Sequence, residues 1–266
     1  MFFMVLSAVV LGNGLIILGT VDFKVKKEPV NVAGTPAQRF VPLDPDSPRL
    51  DPTEAEVKAV VVIAHGFGGS QRMMWPFAST FARNGYAAES FDFPGHGSDT
   101  TAYTADDAQR LQALDHVVQD AHTRWPGKPV VLLGHGMGAA IAVQYAHMHP
   151  IAATIAVSLG DRAPADVHNL LLIPGSDQSF NVWNTTSMRA AVAWVDRLTG
   201  TTRPTGIVTD VRMLGLGIVV LGLLWFWWSL CYFLFRRHPL EPLGAHLPWR
   251  SVLLVSLAAA VLTPLI

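Results

Sequence analysis

The chain has 266 residues, a formal net charge of -1, 50% hydrophobic residues and only 15% charged ones. With a mean hydropathy of +0.33 it is too apolar for an ordinary soluble globular protein, so part of it is expected in lipid. The near-zero charge without basic blocks gives no electrostatic basis for a nucleic-acid partner, and the single cysteine, Cys231, excludes an intrachain disulfide and a cysteine metal site.

Taken in order, Phe2 to Val21 is almost wholly apolar and is followed by Lys24, Lys26 and Lys27. Its length suits a bilayer-spanning helix. It lacks a basic leading region and a clear A-x-A cleavage site, so residues 1–21 read as an uncleaved anchor rather than a signal peptide. Residues 22–57, rich in proline and aspartate, read as a linker or irregular edge with a short strand at Gln38 to Val41. The run from Ala59 to Ala64 reads as a buried parallel strand and ends in His65-Gly66-Phe67-Gly68-Gly69-Ser70.

Met73, Met74, Phe77, Phe81 and Ala82 then recur at helical spacing up to the stop signal Asn84-Gly85. Tyr86 to Phe93 is the next strand, closed by Pro94-Gly95-His96-Gly97-Ser98-Asp99. Thr104, Asp106 and Asp107 open a helix whose apolar face carries Leu111, Leu114, Val117, Val118 and Ala121. A strand from Val130 then turns sharply through Gly134-His135-Gly136-Met137-Gly138 into a helix rich in small residues. Further strands are expected at Ala152 to Leu159 and Leu170 to Ile173, and a helix at Met188 to Leu198. Strands alternating with helices imply a doubly wound α/β sheet over residues 58–205.

Val211 to Phe235 gives the strongest membrane signal, with Trp225, Trp227, Trp228 and Tyr232 in its second half and Arg236-Arg237-His238 closing it. Residues 251–266 read as a shorter third membrane helix. The Trp225 to Trp228 cluster suits an interfacial aromatic belt. Arg236, Arg237 and Arg250 favour a cytoplasmic loop, which would put the α/β domain outside the cytoplasm, whereas Lys24, Lys26 and Lys27 pull the other way.

The ordered loops His65-Gly66-Phe67-Gly68-Gly69, Asp92-Phe93-Pro94-Gly95-His96-Gly97 and Gly134-His135-Gly136-Met137-Gly138 together resemble the α/β-hydrolase family over about residues 58 to 200. The resemblance implies a trimmed α/β-hydrolase-like doubly wound sheet, to which transmembrane α-helices are added. It also implies a former oxyanion hole, with backbone N–H groups from the Gly66-Phe67 loop and from Met137, beside an elbow of Gly134, His135, Gly136 and Gly138. The family's nucleophile position is held by Gly136, which has no side chain to attack an acyl carbon.

Asp177, in Gly175-Ser176-Asp177, matches the position of a triad acid and equally suits a turn aspartate. The family's late histidine has no counterpart between Asp177 and Val211, and His238 and His246 lie beyond the membrane helix. His65, His96 and His135 read as structural. The chain is therefore expected to be an inactive, membrane-anchored relative of the hydrolases, with no intact catalytic residue, cofactor or metal.

Its expected partners are other membrane-protein subunits and the bilayer, with a small acyl or lipid ligand as a further possibility. One alternative is a serine-type esterase or lipase using Ser70, Ser98, Ser158 or Ser176. Another is a dinucleotide binder, since Gly134 to Ala139 also fits G-x-G-x-x-A with Asp161 downstream.

Overall fold

The structure is a computed structural model that describes residues 2–44, 46–47, 53–159, 167–174, 181–235 and 248–262. The chain divides into two compact units, residues 13–218 and residues 1–12 with 219–266.

The larger unit is built on one seven-stranded sheet. Strands β1 (Val25–Val32), β2 (Thr35–Pro42), β3 (Val60–Ala64), β4 (Ala87–Phe91), β5 (Val130–His135), β6 (Ala153–Val157) and β7 (Leu170–Ile173) lie in the order β1-β2-β4-β3-β5-β6-β7. From β4 across to β7 every pair is parallel, while β2 is antiparallel to both β1 and β4. The sheet is thus mixed rather than wholly parallel.

The segment read as a linker is a full hairpin of two eight-residue strands. Its two-residue turn has positive φ at both Ala33 (49°) and Gly34 (92°), and Asn31 accepts a hydrogen bond from the Gly34 N–H. Pro29 is tolerated because β1 is an edge strand, which needs no second ladder.

Both faces of the parallel strands are covered, which is why β3 reads as an unbroken apolar run. Val61 and Ile63 join a core with Phe77 and Phe81 of α2 (Trp75–Arg83) and Met188 and Val192 of α5 (Thr185–Thr199). Val60, Val62 and Ala64 join the opposite core, with Leu114 and Val117 of α3 (Asp107–Arg124) and Ile141 and Tyr145 of α4 (Met137–Met148). Helix α3 is capped by Asp106, whose side chain accepts from the Ala108 N–H, and Thr104 stays outside it. Helix α5 starts three residues before the expected Met188 because Asn184 caps it.

Helices α1 (Phe2–Thr20) and α6 (Arg212–Phe235) are each long and apolar enough to cross a membrane, and few of their residues are buried within the protein. Helix α7 (Trp249–Leu262) has 14 residues, short of the roughly 20 that a span takes. In the larger unit the end of α1 and the start of α6 meet one polar cluster. Arg212 donates to Asp210 and reaches Asp22, while Asp22 also accepts from Ser79 and Lys27. Partial burial opposes ionisation of Asp22, but Lys27, Ser79 and Arg212 outweigh it and hold the carboxyl below its usual range.

Candidate active site

The candidate site stands at the carboxyl ends of β3, β5 and β6, near the middle of the sheet. The β5–α4 elbow turns at Gly136 with φ 52° and ψ -112°, a conformation that L side chains rarely adopt. Its neighbours are glycines for another reason. A Cβ on Gly134 would stand 2.3 Å from the Gly138 carbonyl oxygen, and one on Gly138 would stand 2.5 Å from that of His65. Gly134 and Gly138 therefore let β5 and α4 close upon each other and upon the end of β3. At Gly136 itself the space is open, the nearest atom to a built Cβ being the Gly66 Cα at 4.0 Å.

A cavity of about 200 Å³ opens over this turn. Gly66, Phe67, His135, Gly136 and Met137 line it, joined by Gly69, Met73, Ser158 and Leu159. Met137 is the first residue of α4, so its N–H lacks an intrahelical acceptor, as an oxyanion donor requires. Asp177, Ser176 and Asp161 lie outside the described residues, as do Arg236, Arg237, His238 and His246 of the loop after α6.

The histidines of the loops are engaged in structure. His65 is buried, donates from Nδ1 to the Gly66 carbonyl at 2.7 Å, and accepts at Nε2 from the Phe93 N–H at 3.1 Å. That pattern fixes a neutral tautomer, and burial pushes the His65 pKa down to about 4. With both nitrogens occupied it cannot take a proton from a nucleophile. His96 contacts the Pro94 carbonyl and packs with Phe67 and Tyr103 at the rim, where Phe67 is 71% exposed. His135 is buried on the wall of the cavity.

Of the alternative serines within the described residues, only Ser158 lines the cavity. It ends β6 with φ 55° and its hydroxyl oxygen accepts from Asn181 Nδ2 at 2.8 Å. Ser70 precedes a 3-10 turn, and Ser98 is an exposed loop residue. Among the described residues there is no group of acidic, histidine or cysteine side chains that could hold a metal.

Sequence reasoning missed the residues that brace the site. Asp92 is fully buried and accepts from the Gln71 backbone N–H, the Gln71 side chain and the Ser98 N–H, tying together the loops after β3 and β4. Its motif placed it in a loop, but its three donors are set by folding. Asn181 carried no sequence signal, since a single asparagine in a polar stretch is unremarkable.

The comparisons agree with this geometry. Residues 55–172 match the family model described as serine aminopeptidase, S33. The chain is 34% identical over 112 residues to the monoglyceride lipase homolog of Monkeypox virus, covering 41% of this chain and 40% of that one. It is 31% identical over 96 residues to the mouse protein ABHD8, covering 36% and 22%. The chain thus spans less than half the length of these curated relatives. The crystal structure of TT1662 from Thermus thermophilus superposes with a TM-score of 0.50 at 14% identity, covering 68% of this chain and all of that one, a likeness of fold alone.

Over residues 55–172 the chain is similar to the α/β-hydrolases, and its sheet and helices form an α/β-hydrolase fold. At the elbow position where the hydrolase motif has its nucleophile, this chain carries glycine.

Proposed function

We propose that this protein is a membrane-anchored, catalytically silent α/β-hydrolase-fold protein that serves as a structural or interaction subunit of a membrane assembly. The observation that carries the reading is Gly136, a bare turn where the attacking side chain would stand, with open space above it. The doubly bonded, neutral His65 and the absence of histidine from 169 to 237 support it, because the position from which the family's late histidine would act has no counterpart there. Two long apolar helices, α1 and α6, supply the anchor, and the arginines after α6 favour a domain outside the cytoplasm.

A fluorophosphonate probe on the detergent-solubilised full chain tests inactivity. No serine should be labelled, and labelling of Ser158 would instead establish the esterase reading. Mass spectrometry of the protein purified in mild detergent tests the assembly role; defined membrane partners should accompany it, and a partner-free monomer would refute that role.

A second reading has its own observation. The cavity keeps the apolar surfaces of Phe67, Met73, Met137 and Leu159, which suit retention of a small acyl ligand without turnover. The dinucleotide reading is weakened because the glycine turn follows the central strand β5, after the loops of β3 and β4, whereas that fingerprint belongs to the first strand of its unit.

A further inference from the structure

We propose that the groove between the first turns of α1 and the second half of α6 binds a neutral, planar ring molecule bearing a carbonyl acceptor and a hydrocarbon tail, of the isoprenoid-quinone class. The inference rests on the membrane reading above. The groove encloses about 320 Å³, within the range of small-molecule sites. Its walls are Phe3, Met4, Trp225, Trp228, Tyr232 and Phe233, mostly flat aromatic faces with one adaptable thioether.

One polar residue of the wall is anomalous. Ser229 is only 7% exposed and lines the groove, and its hydroxyl, which keeps some access to the groove, has no hydrogen-bond partner among the described residues. Hydroxyls in apolar helices ordinarily bond back to the preceding turn. Ser7 of α1 does so to the Met4 carbonyl and Thr20 to that of Ile16. Ser229 does not, and an unpaired hydroxyl in apolar surroundings is costly. A ligand acceptor would relieve that cost.

Among the described residues, the remaining polar groups of the wall are the Tyr232 hydroxyl, which can donate, and the indole N–H groups of Trp225 and Trp228, which only donate, with no charged side chain. Together they select a neutral acceptor such as a ring carbonyl, held between aromatic faces. Trp228 and Tyr232 are 76% and 68% exposed, so the groove opens sideways, where a tail can pass into lipid. A plain acyl chain would leave Ser229 unpaired.

The test is titration of the full chain in dodecyl maltoside with decylubiquinone, followed by tryptophan quenching. Wild type and Ser229→Thr should saturate, with Ser229→Ala weaker by about tenfold. Trp228→Ala, an exposed position, should weaken binding as well and provides a second variant should Ser229→Ala fail to fold. Equal affinities for wild type and Ser229→Ala, non-saturating partition, or equal competition by dodecane would overturn the proposal. So would crosslinking of Trp228 into a second copy or a partner helix that decylubiquinone leaves unchanged. Release of the protein by alkaline carbonate would overturn the membrane reading alone, since the titration is made in detergent.

Discussion

Gly136 and its neighbours separate two constraints that a glycine-rich turn confounds. Gly136 is needed for its backbone angle, and Gly134 and Gly138 for close approach. Gly136→Ser has room for its side chain but incurs the strain of the positive φ, about 1–3 kcal/mol. The variant is expected to fold with a lower melting temperature and to leave p-nitrophenyl acetate unhydrolysed, as the late histidine has no counterpart; turnover would show that a cavity histidine such as His135 serves instead. Gly134→Ala and Gly138→Ala drive a Cβ into backbone at 2.3 and 2.5 Å and should prevent folding, seen as loss of the detergent-soluble protein. His65 makes stability depend on pH. Its pKa falls from an ordinary 6.5 to about 4 on folding, so as pH drops the unfolded chain takes the proton first. Its contribution is complete above about 6.5 and declines toward 4, on the order of 3 kcal/mol in all. Melting temperatures across that interval should fall more steeply in wild type than in His65→Asn.

Among the elements, the hairpin β1–β2 is joined to the sheet by the β2–β4 ladder and, within it, by a buried pair. Arg39 of β2 stands opposite Glu89 of β4, donates to it, and also reaches Asp120 of α3. Glu89 is fully buried with one carboxylate oxygen unpartnered among the described residues, and burial outweighs the pull of Arg39 to push its pKa up to about 7. The sign is opposite to that of His65, because the folded state now holds the proton more tightly. The stabilising contribution is full below 4.5 and is lost as pH rises through about 7. Glu89→Gln should therefore raise the melting temperature at pH 8 relative to that at pH 5, compared with wild type. Arg39→Ala removes the donor to the buried carboxyl and the pull that lowers its pKa, so Glu89 stays protonated at neutral pH and the loss should be about 1–3 kcal/mol, most of which Arg39→Met with Glu89→Leu should recover. A double-mutant cycle by thermal denaturation checks both. If Arg39→Ala alone is neutral, the pair does not hold the hairpin.

For the chain as a whole, the polar cluster of Asp22, Lys27, Ser79, Asp210 and Arg212 fixes where α1 ends and α6 begins on the larger unit. Asp22 is held below its usual range, so its contribution is present above the ordinary value of 3.8 and fades as pH falls through the lower folded pKa. The full chain should sediment with membranes and resist alkaline carbonate extraction; recovery in the soluble fraction would remove the basis for an anchor.

The alternation of buried strands and helices, the order of the three loops, the elbow without a nucleophile and the two long apolar helices are all legible in the sequence. Each of these is written locally, in runs of apolar residues, glycine spacing or helix caps. The remainder is settled only by folding. Pro29 and Pro36 disguised β1 and β2, whose strand character comes from pairing with each other and with β4, some fifty residues on. Asp92, Asn181, Glu89 and the inward-facing Ser229 gain their meaning from groups that the chain brings together from a distance. A sequence pattern records periodicity and turn chemistry within a few residues, whereas a buried polar group is defined by the partners that folding gives or denies it.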